Sequence, residues 1–462
     1  MSSLFQYTGN PFVDAGISAL TNWCDKKTPQ ELTEADIKKA LPEIANLFSQ
    51  GAWVKTFYTT FSNGVMVQPS NKGKEREKWL EFIGDLVKEL QPLADHGSCV
   101  ACGCRNAIKI KKEKRGLLRS EVPMASGSLN YYSFASTGAD YCGTCAIAIQ
   151  VSPLVLYRSG GKMILVHSSS EKAMCSWAKM AINEVRSQIS LRNYTGCFTE
   201  NFTNPQNALF RIAKILIQDK DDWKSDPITI RIYYFTNYGQ GAELKYYDLP
   251  NRVFHFLNEV HHSEELKDWD KIIGSTYFFK KNNSKIYLNT DDKSEEEYKN
   301  NNNVIYEGLL KDEWIVKYFY NFLQRKAYAK WELVQLYLKE VRQMDKQRTE
   351  VIKRVADEIS LVIQRDESHN PKRLWQLERA NSYGTFRNVL RLIIKDRIKN
   401  GAERPLFSIE DYTERLFPDG ALCWRETQDL ILFRLYEMLH GWLKERDIVI
   451  DEVEENSTTE IE

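Results

Sequence analysis

Two C-x-x-C pairs, Cys99/Cys102 and Cys142/Cys145, constrain this chain more than any other feature of its sequence. Each pair can chelate through a single turn of backbone, and two pairs complete the tetrahedral thiolate shell of a structural Zn²⁺. Chance, or a redox C-x-x-C, is the competing reading; two such pairs in one segment favour metal. The gap between them, residues 103–141, is longer than in a compact zinc ribbon, so an insertion hangs from the metal. The motif speaks strongly for a metal and weakly for any particular function.

At 462 residues there is room for two or three domains. Basic and acidic residues balance at 63 each, so this is no overall polycation, and any nucleic-acid binding has to come from local patches. A hydrophobic content of 42% with 12% aromatics describes a folded protein. The nine cysteines include Cys24, Cys175, Cys197 and Cys423 outside the knuckle segment, and no secretory signal opens the sequence. The expectation is reduced thiols in the cytoplasm of a prokaryote, with no membrane span.

Near the N-terminus, Thr8 to Gly16 reads T-G-N-P-F-V-D-A-G. Asn10 suits an N-cap and Pro11 the first helical position, and Val13, Gly16/Ile17, Leu20 and Trp23 recur at helical spacing. An amphipathic helix accounts for these residues but not for Thr8 and Gly9, which leaves a functional turn open. A second helix starts at Thr33 with Asp36 in capping-box position, and Pro42 is expected to break or kink it. Phe57–Lys74 alternates like a hairpin around Asn63-Gly64, and a helix follows over 75–91.

After the first knuckle come Arg105, Lys109, Lys111, Lys112, Lys114, Arg115 and Arg119, then an amide and aromatic cluster, Asn130-Tyr131-Tyr132. A charge run alone is a solvated loop. On a metal-pinned insertion beside aromatics, it also suits phosphate and base contact. Further on, 151–167 reads as a hairpin, 171–189 and 207–218 as helices, and 228–234 with 243–247 as strands. Tyr277–Phe279 and Lys285–Leu288 flank another hairpin. His167, at the end of a strand, reads as a satisfied core or edge histidine.

Thr290–Asn303 is charged, asparagine-rich and aperiodic, hence a linker. Beyond it the pattern is helical, over 307–325, 328–346, 349–365, 371–381, 383–399 and 424–446, with no convincing strand. On the helix over 383–399, Arg387, Arg391, Lys395 and Lys399 fall at four-residue steps, opposite Phe386, Val389, Leu390 and Ile393. Lys372, Arg373, Arg379, Arg397 and Arg404 add to the local excess. A solvated face is the default, but the excess fits a sequence-independent groove for a phosphodiester backbone.

The fold class expected is therefore an α+β N-terminal domain with an embedded four-cysteine zinc-binding module, followed by an all-α C-terminal helical bundle. The boundaries are 1–290 for the first domain (module about 97–147), 291–303 for the linker, 304–446 for the bundle and 447–462 for an acidic tail. No phosphate-binding loop, H-E-x-x-H or G-x-S-x-G motif is present. The expectation is accordingly a protein that is not an enzyme.

The T-G-N-P-F-V-D-A-G opening, the paired C-x-x-C knuckles and the helical last third together resemble the large subunit of type I CRISPR effector complexes (Cascade). The resemblance is to the CXXC–CXXC subfamily associated with I-B systems. Cys104 is a departure that leaves the choice of fourth ligand open. The resemblance implies a non-catalytic subunit at the 5′ handle of the guide RNA, beside backbone, handle-capping and small subunits. Such a subunit inspects the protospacer-adjacent motif (PAM) in duplex DNA, aids strand opening, stabilises the R-loop and precedes recruitment of a helicase–nuclease. It also implies a small subunit translated from within the gene, with Met344 as one possible start.

On this reading structural zinc sits on Cys99, Cys102, Cys142 and Cys145. PAM-proximal contacts come from Asn130, Tyr131, Tyr132 and the Lys109–Arg119 segment, with Asn63 and Gln68 as further candidates. Arg387, Arg391, Lys395 and Lys399 hold the displaced single strand. A zinc-containing nuclease with an unrecognised site, and a protein-only scaffold with structural zinc, stay open as alternatives.

Overall fold

The computed structural model describes residues 3–448 apart from 62–63, 109–116, 118–120, 124–138, 200–201, 220–222, 224–226, 238–241, 289–299, 366–370 and 447. It divides into two compact units, Met1–Asn251 and Arg252–Glu462. Among the described residues no helix is long and apolar enough to cross a membrane.

Unit 1 is built around helix α1 (Pro11–Trp23). Asn10 caps it, its Oδ1 accepting from Val13 N at 3.2 Å, and Pro11 opens it where a missing N–H costs nothing. The sequence reads as amphipathic, yet nine consecutive residues from Val13 to Thr21 are buried. The face opposite Val13, Ile17 and Leu20 carries Ala15, Ser18 and Ala19, small enough to take a neighbour as well. Helices α2 (Glu34–Phe48), α3 (Trp53–Thr60) and α4 (Glu75–Lys88) follow. The Thr33/Asp36 capping box opens α2 as expected, but Pro42 lies inside the helix and does not end it. Among the described residues of the expected hairpin over Phe57–Lys74 there is no strand: 57–60 are the end of α3 and Pro69–Asn71 form a short 3-10 turn. Trp53, Thr56, Phe57 and Thr60 share one buried helical face, and Phe57 packs edge-on against Phe48 at 4.5 Å. Helical spacing of large rings outweighs the local alternation.

Helix α5 (Gly143–Val151) is buried along its whole length. It leads into a five-stranded sheet of β1 (Tyr157–Ser159), β2 (Lys162–Ser168), β3 (Phe198–Thr199), β4 (Ile230–Thr236) and β5 (Glu243–Leu249), in the order β3-β1-β2-β4-β5. The β1–β2 hairpin turns through Gly160-Gly161, at φ +53° and +78°, a left-handed pair that a two-residue hairpin loop requires. Helices α6 (Glu171–Leu191) and α7 (Pro205–Asp219) complete the unit, which is α+β as the sequence pattern implies.

Unit 2 begins at Arg252, about fifty residues before the expected start of the bundle at 304. After α8 (Asn251–His261) and α9 (Leu266–Ser275), β6 (Tyr277–Lys281) pairs with β7 (Ser284–Tyr287) and also with β8 (Asn302–Asn303). The end of the asparagine tract is thus a strand. Buried Asn303 then caps α10 (Val304–Lys311), its Oδ1 accepting from Ile305 N and Tyr306 N, while its Nδ2 donates to Ile273 O. The helix expected over 307–325 stops at Asp312, which is left-handed at φ +59° and pairs with Arg252 and Arg342. A short hairpin, β9 (Tyr320–Asn321) with β10 (Lys326–Ala327), stands where none was expected.

From there the unit is helical: α11 (Trp331–Glu340), α12 (Lys346–Gln364), α13 (Lys372–Glu378), α14 (Tyr383–Lys399) and α15 (Trp424–Lys444). A six-residue π-helical turn, Asp411–Leu416, precedes α15. The bounds of α14 coincide with the sequence expectation drawn from the Phe386–Ile393 apolar stripe, and the structure adds a Ser382/Thr385 capping box at its start.

Candidate metal centre and basic helix face

Cys99, Cys102, Cys142 and Cys145 bring their sulfurs within 4.8 Å of one another. Cys102 and Cys142, forty residues apart in sequence, are 3.9 Å apart at Sγ. Zinc–thiolate bonds of about 2.3 Å arranged tetrahedrally put sulfurs ~3.8 Å apart, so the cluster closes on an ion with little movement. Cys104 stands outside this group of four.

The backbone builds both knuckles. In the first, Cys99 N donates to Arg105 O and Gly103 N donates to Cys99 O, both at 2.9 Å, with Gly103 left-handed at φ +63°. In the second, Cys142 is the N-cap of α5 and its sulfur accepts from Cys145 N at 3.5 Å, so the helix N-terminus faces the sulfurs. That polarity favours thiolate.

Proton sharing sets the charge of the cluster. Hydrogen bonds from Cys142 and Cys145 hold the Cys99 thiol far below the usual thiol range, and a hydrogen bond from Cys145 holds Cys102 at about 6. Donation to Cys102, Cys142 and Cys99 drives Cys145 up. The bond with Cys145 lowers Cys142, but its bond with Cys99 and its burial outweigh that and push it up to about 12. A divalent cation takes its cysteines as thiolates, so its binding releases whatever protons the cluster shares. Four cysteines so placed can bind a metal ion such as zinc.

The module is fastened to the N-terminal motif at several points. A Cβ on Gly16 would lie 1.7 Å from Ala148 O, so α1 and α5 touch backbone to backbone. A Cβ on Gly143 would meet Glu89 O at 2.6 Å and Leu86 O at 2.7 Å, which presses the second knuckle onto the end of α4. Arg105, which sequence reading counts with the basic run, is only 2% exposed. Its guanidinium donates to Gln91 O at 2.9 Å and Leu4 O at 2.5 Å. Its place directly after Cys104, inside the knuckle loop, is the one sequence sign that it differs from the lysines that follow.

Thr8 and Gly9 find their explanation in buried Asp14, whose carboxylate accepts from Thr8 N (2.7 Å), Thr8 Oγ1 (2.9 Å) and Gly9 N (2.9 Å). His167 Nε2 lies 3.2 Å from the same carboxylate. His167 is thus a hydrogen-bonded, half-buried histidine on the central strand β2, and the T-G-N-P-F-V-D motif closes a loop onto its own helix.

Of the nucleic-acid candidates, Lys109, Lys111, Lys112, Lys114, Arg115, Arg119, Asn130, Tyr131, Tyr132 and Asn63 lie outside the described residues. The described residues beside that insertion are tied down: Ile108 N donates to Tyr141 O at 2.9 Å, and Leu117 and Ala139 exchange both backbone bonds. Gln68 is exposed, on the rim of an open groove of about 530 Å³ lined by Val54, Lys55, Tyr58, Met66 and Lys72. Arg387, Arg391, Lys395 and Lys399 are all exposed on α14, and none forms an ion pair among the described residues. Their neighbours are committed elsewhere: Arg373 pairs with Asp396 at 2.6 Å and Arg397 pairs with Glu358.

No curated protein matches the chain. Residues 93–157, which span both knuckles, α5 and the start of β1, match the family described as CRISPR-associated protein (Cas_CXXC_CXXC). The paired knuckles, closed into one four-sulfur cluster, thus lie within the segment of the chain that is similar to the CRISPR-associated CXXC–CXXC family.

Proposed function

We infer that this protein is the large subunit of a type I, I-B-like CRISPR RNA-guided surveillance complex (Cascade) and catalyses no reaction of its own. The observation that carries this reading is the family match over residues 93–157, joined to the N-terminal motif through the Gly16–Ala148 contact. The Cys99–Cys145 module would hold zinc as a structural ion: four thiolates fill a tetrahedral shell and leave no position open for substrate. In this reading the protein joins the guide RNA near its 5′ handle, together with backbone, handle-capping and small subunits.

Pairing with the guide supplies sequence specificity, so the protein needs only PAM contacts and backbone contacts. Unit 1, through the insertion between the knuckles, would meet PAM duplex and aid its opening. Unit 2 would stabilise the displaced strand until a helicase–nuclease is recruited. The exposed row Arg387, Arg391, Lys395, Lys399 supports that role. Four-residue steps advance about 6 Å along a helix and drift about 40° around it, a path an extended phosphate chain can follow.

The test is co-purification of the tagged protein from its native host. A guide RNA and repeated backbone subunits are the expected company. Metal-dependent DNA cleavage by the purified chain alone, or a complex devoid of nucleic acid, would overturn the reading. Within the complex, replacing the four row residues with alanine should weaken R-loop stability and shallow its salt dependence, by roughly 0.7 in log–log slope for each phosphate no longer held.

A further inference from the structure

The start of the α14 row has a feature that phosphate contact does not use. Tyr383 and Arg387 lie one helical turn apart, and the Arg387 guanidinium sits 5.2 Å from the Tyr383 ring and 5.8 Å from the ring of Tyr412. The two phenol oxygens are 3.0 Å apart. Beneath, both rings pack on buried Phe417, at 5.2 and 5.0 Å. Tyr412 belongs to the π-helical turn Asp411–Leu416, a geometry that is rare and concentrated at functional sites. Asp411 pins that turn, pairing with Arg354 at 2.7 Å and accepting from Ser408 N at 3.0 Å. Arg387 itself is exposed and has no carboxylate partner among the described residues.

An aromatic cluster needs no arginine to fill it, and a merely solvated arginine would extend into water. Here a flat, weakly hydrated cation is held near two ring centroids and hydrogen-bonded to Tyr412, on a residue that stays exposed. A guanidinium plane so held stacks any nucleobase, provided the base is unpaired.

We propose that Tyr383, Arg387 and Tyr412 form a stacking platform for one unpaired base of a single strand whose phosphates follow Arg391, Lys395 and Lys399. The proposal rests on the reading of α14 as a strand path and adds to it a base-dependent contact at a defined end. That end fixes where the strand enters or leaves the row, and it discriminates single strand from duplex without reading sequence.

The test measures binding of the full chain, by fluorescence anisotropy, to a labelled oligothymidine and to an abasic strand of equal length. Wild type should prefer the strand with bases by about tenfold. Arg387→Lys keeps the charge but loses the plane, and Tyr383→Leu loses a ring; each should abolish the preference, the lysine variant with the salt slope retained. Arg387→Lys changes an exposed residue, so the test stands even if Tyr383→Leu folds poorly. Equal binding of both strands by wild type, or a preference that survives Arg387→Lys, overturns the platform. The triple variant Arg391→Ala/Lys395→Ala/Lys399→Ala separates the two readings. If it leaves binding of both strands unchanged, the strand path itself fails and the platform with it. If it weakens both while Arg387→Lys keeps the preference, only the platform falls.

Discussion

Substituting Gly16 with alanine tests the link between the N-terminal motif and the metal module. In an ordinary helix the change is favourable, by about 0.5–1 kcal/mol, because alanine loses less backbone freedom on folding. At Gly16 the new methyl would stand 1.7 Å from Ala148 O and 2.8 Å from Ala148 Cα, and neither is a side-chain end that can swing away. Restoring even 3.0 Å requires α1 and α5 to part by more than an ångström. A gap of that size forfeits at least a quarter to a half of each contact it opens between two helices that are both buried. Overpacking of this kind costs about 1–3 kcal/mol, and a backbone clash belongs at the upper end. Sterics therefore outweigh propensity, and the expected net loss is about 2–3 kcal/mol.

Gly84→Ala on α4 is the matched control, since a Cβ there has no heavy atom within 4 Å and should stabilise. Urea unfolding gives the sign for the whole chain, and hydrogen exchange of the α1 and α5 amides reads the affected unit by itself. Because Cys142 caps α5 and Cys145 lies in its first turn, Gly16→Ala should also speed loss of zinc to a chelator. A neutral or stabilising Gly16→Ala, or a Gly84→Ala equally damaging, would refute the packing argument.

Three further outcomes follow from the same geometry. Cys142→Ser should abolish stoichiometric zinc in the purified protein while Cys104→Ser retains it, as metal analysis would read; zinc kept by the first variant would sink the four-ligand assignment. Arg105→Ala should cost about 3 kcal/mol in urea unfolding, because it leaves Gln91 O and Leu4 O without a donor, and a loss below ~0.5 kcal/mol would show that water replaces it. Burial raises the Asp429 carboxyl to about 6 against the hydrogen bonds from Trp314 and Tyr320. With the folded value above the unfolded 3.8, its contribution is full at lower pH and is lost as pH rises through about 6, by up to ~3 kcal/mol. Asp429→Asn should flatten that part of the stability–pH curve between 4 and 6, and an unchanged slope would exclude the residue.

What could be read from the chain alone was what depends on neighbours in sequence. Capping signals at Asn10 and Thr33/Asp36 place two helix starts, since a cap is completed within three residues. The two knuckles announce a four-sulfur cluster because each C-x-x-C brings its sulfurs together through one turn. The exposed face of α14 follows from its periodicity, since the apolar stripe decides which side faces inward.

Tertiary structure decided the rest. Arg105 reads with the basic run until Leu4 and Gln91 close over it, and α1 reads as amphipathic until the fold buries its small-residue side as well. Phe57 joins a helix because Phe48 waits for its ring, and Asn303 becomes a buried cap because Ile273 supplies the acceptor. In each case the partner is remote in sequence, and burial, which the local pattern cannot express, sets the energy. By itself the sequence named the four cysteines that come together and carried the likeness of their segment to the CXXC–CXXC family. Only the folded chain decided that one knuckle caps the helix on which the N-terminal motif rests, because that contact exists only where Gly16 lets two backbones touch.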